Sequence, residues 1–355
     1  YKRQINRRHS IEARERSVQK KTIYDVAKEA GVSIATVSRV MTGNANVRES
    51  TRKKVEAACE NYRPTASARE LMTRRTKTIG VLINHKPEYF FLNETYTNAL
   101  LGMSVAAKDC GYRLLLDISE NDTSVKELLY EQKTDGLILM GVRKNSPLLQ
   151  MLKGNEAPFV LVGSLHEDEG AICQVDINDQ KAVYNATNYL IGLGHRRIGI
   201  ITGSTEYASC SDRLAGYRQA MDEAGIEVRE EWIQSCESLT EAKAEQLAKH
   251  MLYQSDRITA MVAFNDSVAM ATYKAAKDSG IAIPEDLSVI GFDDTVVASY
   301  MSPPLTSVWQ PSYEKGEKAM RLLIESIEKG EMPHGREELN CIMMYRASCA
   351  APKQK

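Results

Sequence analysis

Arg213, Asn265 and Asp293 are the side chains of this sequence best suited to binding chemistry, and Asn265 and Asp293 each stand just beyond the end of a short apolar run. Arg213 lies in the stretch Ser209 to Tyr217, which opens a helix after a strand; Asn265 and Asp266 close the run Ala260 to Phe264; Asp293 and Asp294 close Ser288 to Phe292. Open parallel sheets bind ligands at the carboxyl ends of their strands, so all three side chains point to one cleft. A guanidinium fork, an amide and a carboxylate are the set that vicinal sugar hydroxyls require, because each hydroxyl both donates and accepts. A plainer reading stays open at this stage, with Asn265 and Asp293 as loop caps and Arg213 as half of a surface ion pair.

Catalytic and cofactor chemistry finds no footing. The nearest approach to a dinucleotide fingerprint is Gly192-Leu193-Gly194, which has Arg197 at the third glycine position and precedes a strand instead of following one. No phosphate-binding Gly-rich loop ending in Lys-Ser/Thr, no His-Glu-x-x-His and no Gly-x-Ser-x-Gly is present. The seven cysteines, at 59, 110, 173, 210, 236, 341 and 349, have no metal-ligand spacing with the six histidines, so they read as reduced, mostly buried thiols. No catalytic residue, metal or cofactor is expected, and His195 reads as structural.

A second constellation lies between Lys21 and Leu71. Ile23, Val26, Ala27 and Ala30 follow a helical spacing, Gly31 interrupts it, and Val32, Val37 and Val40 resume it after a cap at Ser33. Thr22 can cap the first helix reciprocally with Asp25. Two such helices bury little alone, and Ser50 to Asn61 supplies a third. The second helix would expose Ser33, Ile34, Ala35, Thr36, Ser38 and Arg39, small, hydroxylic and cationic groups suited to a DNA groove; the bland alternative is a helical hairpin with a polar outer face. Pro64 then stops the third helix, Thr65 can cap a short fourth one, and Ala68 and Leu71 share one face of it.

From Thr22 to Leu71 the sequence resembles the DNA-binding headpiece and hinge helix of the LacI family of bacterial repressors, and the resemblance continues to the end of the chain. It implies DNA contacts from Thr22, Tyr24, Ser33, Ile34, Ala35, Thr36, Ser38, Arg39 and Arg63. It also implies a minor-groove wedge at Leu71, with Ala68 letting two hinge helices approach closely. Effector contacts are implied for Arg213, Asn265 and Asp293, and for Phe91 within Tyr89 to Asn93. Three departures stand out: the run Val55 to Tyr62 is about two residues short and lacks a leucine that closes the third helix, Glu88-Tyr89 replaces the usual residues before the phenylalanines, and Gly163-Ser164 lacks an acidic ligand contact that some members carry. Residues 1–20 lie upstream of the family's usual start and read as a basic, solvated extension, the alternative being a basic arm that touches phosphates.

The elements that position these groups are legible as texture. Short apolar runs at Ile79 to Ile83, Leu114 to Ile118, Gly136 to Met140 and Phe159 to Val162 alternate with helical segments, and the pattern recurs at Ile198 to Ile201, Ala260 to Phe264 and Ser288 to Phe292. Continuous apolar strands of this kind indicate parallel sheets covered on both faces. The expected fold is a small all-α helix-turn-helix headpiece (21–63) with hinge helix and linker (64–78), joined to a two-lobed α/β effector domain with two parallel sheets. By resemblance the lobes, like those of a periplasmic sugar-binding protein, are 79–176 plus 308–340 and 177–307 plus 341–355, with crossings near Asp176, Val308 and Cys341.

Charge divides the same way. Residues 1–78 hold 19 Lys/Arg against 8 Asp/Glu, a net +11, and the remainder carries −12, so the basic end is the polyanion-binding end. No apolar run spans a membrane and residues 1–20 are charged throughout, which predicts neither a spanning helix nor a secretory signal and places the protein in the cytoplasm, at the nucleoid. The function expected is a transcription repressor of carbohydrate-utilisation genes: a homodimer on a pseudo-palindromic double-stranded DNA operator, controlled by a sugar-like effector. A variant within the family is a catabolite-control regulator governed by a phosphorylated carrier protein. A solute-binding protein would share the lobes but would have no use for residues 21–72.

Overall fold

The computed structural model describes residues 21–41, 47–59, 75–118, 133–154, 157–165, 172–236 and 240–353. The extension 1–20, residues 60 and 61 of the expected third helix, and the expected hinge segment with Arg63, Ala68 and Leu71 lie outside the described residues. Two compact units are present, Tyr1–Lys77 and Thr78–Lys355.

In the first unit, α1 (Ile23–Ala30) opens on a capping box: Thr22 Oγ1 accepts from the Asp25 amide at 3.3 Å and Asp25 Oδ2 accepts from the Thr22 amide at 2.8 Å. Gly31, at a left-handed φ of 64°, ends the helix, and Ser33 Oγ accepts from the Thr36 amide at 3.2 Å to start α2 (Ile34–Met41). With α3 (Glu49–Ala58) these helices enclose Val26, Val37 and Val55, all fully buried, with Ala27, Ala30, Val40 and Ala58 around them. Each valine removed from water contributes about 1.5–3 kcal/mol, which a unit this small can ill spare. Lys21 donates to the Ala58 carbonyl at 2.6 Å, placing a cation at the negative end of α3.

The second unit holds two six-stranded sheets. The first has the order β11-β5-β4-β3-β1-β2, built from β1 (Thr78–Ile83), β2 (Arg113–Ile118), β3 (Gly136–Met140), β4 (Phe159–Val162), β5 (Cys173–Ile177) and β11 (Arg336–Leu339), all parallel. The second has the order β12-β10-β9-β8-β6-β7, from β6 (Ile198–Gly203), β7 (Ile233–Cys236), β8 (Ala260–Ala263), β9 (Ser288–Asp293), β10 (Thr306–Trp309) and β12 (Ile342–Met344), parallel except at its antiparallel edge β12. β3, β4, β5, β6 and β8 are buried at every residue, whereas the edge strand β2 is buried at none. That contrast is what helices on both faces of a parallel sheet produce.

The chain passes between the lobes at Asn178, at Gln310-Pro311 and at Asn340-Cys341. β10 runs through Trp309, so the second passage falls past Val308. Helices cover the sheets in matching fashion: α5 (Glu94–Asp109) lies on α12 (Ser312–Lys329) in one lobe, and α7 (Asp179–Gly192) on α8 (Ala208–Glu223) in the other. Gly316 is what brings α12 so close to α5, for a Cβ there would overlap the Ala99 carbonyl. His195 is indeed structural: fully buried, it bonds Thr259 Oγ1 at 2.9 Å and the Ala350 carbonyl at 2.9 Å, tying the C-terminal segment to the second sheet. Among the described residues no helix is long and apolar enough to cross a membrane.

Replacing Gly316 by alanine forces backbone apart, so a loss of about 2–3 kcal/mol in the stability of the second unit is expected. Gly192→Ala, at a position with open space around it, should stay within about 0.5 kcal/mol. Denaturant melts of the two variants read the difference directly, and equal stabilities would refute the close helix approach.

Candidate functional site

The site is built around a buried cation. Arg213, on the second turn of α8, donates from Nε to Asp179 Oδ1 at 2.6 Å and from Nη1 to the Phe264 carbonyl at 2.6 Å. Its guanidinium lies 3.5 Å from the Phe292 ring centroid and 4.6 Å from that of Phe264. This is an interior ion pair, not a surface one. Asp179 is the first residue of α7, just past the passage at Asn178, and burial raises its pKa to about 6 against the opposing charge of Arg213.

Asn265 is the N-cap of α10 (Asp266–Asp278), its Oδ1 accepting from the Val268 amide at 2.9 Å. The capping reading therefore holds for its carbonyl oxygen. Asp293 ends β9 at φ 102°, a left-handed backbone that non-glycine residues adopt only where surroundings impose it. Gln310, from the crossing segment, donates to Asp293 Oδ1 at 2.5 Å, and burial raises the Asp293 pKa while Arg213 and Gln310 oppose the rise. The Gln310 Oε1 atom is buried without a protein partner. Arg213, Asn265 and Asp293 thus gather at the carboxyl-end edge of the second sheet.

Phe91 is not brought to them. The residue is 64% exposed and its ring packs edge-on against Phe90, which is fully buried. The aromatic that α4 (Pro87–Leu92) turns toward the cleft is Tyr89, whose hydroxyl accepts from Asn93 at 3.1 Å and whose pKa, raised by burial, also responds to Asp293, Cys210 and Arg213. Beside it stand His85, at 4.8 Å between ring centroids, and Tyr96, at 5.9 Å. His85 in turn stacks on Tyr207 of the other lobe at 5.0 Å and 25°. The spacing His85, Tyr89, Asn93, Tyr96 is close to a helical repeat and is the signal by which the sequence could have revealed this face.

Asp266 was also not singled out. Fully enclosed, it accepts from Ser307 Oγ at 2.6 Å on one oxygen and from the Thr295 amide at 2.6 Å on the other. Burial and the neighbouring Asp293 charge raise its pKa to about 7, outweighing those hydrogen bonds.

The first unit presents a separate surface. Tyr24, Ile34, Ala35 and Arg39 are exposed, and Ser38 is half-buried. Ser33 and Thr36 are partly committed to the cap, their hydroxyls 2.9 Å apart. α2 thus offers a methyl-rich and cationic face with its buried valines turned away. Among the described residues no group of three or more His, Cys, Asp or Glu could hold a metal.

Residues 22–65 match the family described as bacterial regulatory proteins, lacI family, and residues 187–349 match the periplasmic binding protein-like domain. The HTH-type transcriptional repressor PurR of Photobacterium profundum is 35% identical over 92% of this chain and 98% of its own length. The chain belongs to the LacI family. Catabolite control protein A of Priestia megaterium is 36% identical over 87% of this chain and 93% of that protein. Among solved structures, a transcriptional regulator CelR in complex with cellobiose is similar at 31% identity and a TM-score of 0.74, over 92% of this chain and 99% of the other. Like its LacI-family relatives, the chain is a DNA-binding transcription regulator, with the helix-turn-helix inside the matched segment 22–65.

The Asp266 carboxyl carries a pH dependence with a definite sign. Its folded pKa lies above the ordinary 3.8, so the folded state holds the extra proton between the two values. Its contribution to stability is then fully present below pH ~4 and is lost as pH rises through about 7. Asp266→Asn should flatten the fall in melting temperature between pH 5 and pH 8 relative to the parent chain. Parallel pH profiles for the two proteins would show that this carboxyl does not titrate as described.

Proposed function

We propose that the chain is a homodimeric, sequence-specific repressor of carbohydrate-utilisation genes whose grip on a pseudo-palindromic operator is set by a sugar-like effector held between the lobes. The observation that carries the reading is the pairing, in one chain, of an exposed DNA-facing helix with a buried Arg213 beside Asp293 and Asn265. Arg213 spends two donors on Asp179 and Phe264 and keeps others for hydroxyl oxygens. Asp293 accepts from hydroxyls, and the Asn265 amide nitrogen can donate while its oxygen caps α10. Phe91 has the weaker claim, and Tyr89 takes its place as the stacking aromatic. The cellobiose named with the similar CelR structure is a neutral disaccharide, consistent with this chemistry. The chain binds and responds; it is not a catalyst, and it works at the nucleoid.

A second copy has a surface to occupy. Leu101 and Val105 on α5 are exposed one turn apart, as are Val296 and Tyr300 on α11 (Val296–Tyr300) in the other lobe. Two headpieces related by a two-fold axis read two half-sites. Leu71, wedged from a paired hinge helix, would bend the duplex between them. The likeness to a catabolite control protein favours one alternative, in which a phosphorylated carrier protein, not a free sugar, governs DNA binding. Operator binding that responds to such a protein and ignores every sugar would decide for it.

Ile34 and Ala35 offer methyl contacts to thymine and no hydrogen bonds, while Arg39 can reach guanine. Selection of binding sites from random duplexes should therefore return different consensus half-sites for the parent and for the Ile34→Tyr, Ala35→Gln double variant, with discrimination of about 1–3 kcal/mol at the altered base pairs. The same consensus from both would remove α2 from the groove.

Asp293→Ala should abolish the response of operator affinity to the effector and leave effector-free operator binding within about threefold. A thermal-shift screen of sugars, sugar phosphates and nucleobases supplies the ligand, since a cleft ligand raises the melting temperature by mass action. A hit whose affinity is unaffected by Asp293→Ala and by Arg213→Ala would move the effector site elsewhere.

A further inference from the structure

A half-open chamber of about 480 Å³ lies between the lobes. Asn84, Arg143, Lys144 and Asn145 line it from the first lobe, Thr205 and Glu206 from the second. A chain of ring contacts leads from it to Tyr89, on which the Arg213 charge acts, and so toward the buried surroundings of Arg213, the inner compartment. The Arg143 guanidinium lies 5.8 Å from the Tyr207 ring centroid, Tyr207 stacks on His85 at 5.0 Å, and His85 packs against Tyr89 at 4.8 Å. Gly141, at φ 66°, makes room for this arrangement, since a Cβ there would press into the His85 ring.

Their charges are opposite in character. Around the inner compartment stand Asp179, Asp266 and Asp293 with Arg213 among them. The outer chamber carries two cations and one acid. Lys144 Nζ donates to Ser211 Oγ at 2.7 Å, a neutral hydroxyl that leaves its charge uncompensated. Arg143 meets Glu206 at 3.4 Å, but both side chains are at least half exposed, so water screens the pair. His85 adds no charge, because burial and the nearby Arg143 push its pKa down to about 4. Nothing in the repressor reading above uses these groups.

We propose that this chamber is the outer subsite of the effector cleft and binds an anionic group, phosphate or carboxylate, on the far end of a ligand whose neutral polyol portion reaches Arg213 and Asp293. The inference rests on the sugar-type effector proposed above and narrows it: the ligand is longer than one ring, neutral inside and anionic outside. An inorganic or monosaccharide anion alone would be turned away by the acids of the inner compartment and held only at the chamber. The lobes close over such a ligand through the backbone bond from Lys144 to the Glu206 carbonyl, at 2.9 Å.

The test uses the full chain and the double variant Arg143→Gln, Lys144→Gln, which keeps hydrogen-bond donors and removes both charges. In sodium phosphate, compared with sodium chloride at matched ionic strength, the parent should melt higher and the variant should lose that increment; anion binding by the headpiece is common to both proteins and cancels. Calorimetric titration with cellobiose, cellobiose 6′-phosphate and cellobiouronic acid, and with trehalose and trehalose 6-phosphate, then distinguishes phosphate from carboxylate. A charged member should bind roughly tenfold tighter than its neutral parent, and the variant should erase that factor. An equal phosphate increment in the two proteins, or neutral sugars binding as tightly as charged ones, overturns the proposal. The phosphate comparison decides by itself if no sugar of the panel binds, and operator binding by both proteins reports separately on the repressor reading.

Discussion

A guanidinium enclosed in protein must be matched on every side, since the cost of removing it from water runs to several kcal/mol and breaking a buried pair costs about 3–5 kcal/mol. In this chain that requirement is concentrated at Arg213, and much of the cleft follows from meeting it. Asp179 must begin α7 where the chain enters the second lobe, β8 must end so that the Phe264 carbonyl faces inward, and β9 must present the Phe292 ring as a floor. Asp293 is the next residue along β9 and is delivered to the same place by the same strand. Nearby, Lys315 of α12 pairs with Asp176 at the end of β5, so a second buried ion pair flanks the passage between the lobes. The other Asp176 oxygen is buried without a hydrogen-bond partner among the described residues.

The parts of this architecture that depend on local pattern were legible in the sequence, and the parts that depend on distant pairing were not. Strands such as Gly136–Met140 and Ile198–Gly203 are apolar throughout because both faces are covered, and that texture needs no partner to be recognised. The capping box of Thr22 and Asp25 is likewise contained within four residues. By contrast, Arg213 and Asp179 are 34 positions apart on different helices, and nothing near either one announces the other. Asp266 reads as a mere companion of Asn265 until Ser307 and Thr295 close over it. The aromatic of α4 was misplaced for a geometric reason: six residues make less than two turns, adjacent side chains diverge by about 100°, and the run Tyr89, Phe90, Phe91 alone does not fix its phase. The wider spacing from His85 to Tyr96 does fix it, across the break at Asn93.

What the contacts across the cleft can withstand sets how strongly a ligand must act. The described bonds between the lobes near the mouth are a ring stack worth about 0.5–1.5 kcal/mol, a screened Arg143 and Glu206 pair worth at most about 1 kcal/mol, and a few hydrogen bonds of about 1 kcal/mol each, including the Val296 amide to Glu94. Together they hold the lobes by a few kcal/mol, less than the roughly 8 kcal/mol that a micromolar ligand supplies. Rearranging the lobes is therefore within a small molecule's reach.

A ligand shifts such an equilibrium only by the difference between its affinities for the two arrangements. Arg213, Asn265 and Asp293 all ride on the second lobe, so contacts to them alone are retained however the lobes move and contribute no difference. The differential must come from groups of the first lobe that a ligand touches at the same time: Tyr89, His85 and, in the outer chamber, Arg143 and Lys144. On the proposed reading, the residues that would hold the effector and those that would convert its binding into a change of state are two distinct sets, and only the first was marked by its chemistry in the sequence.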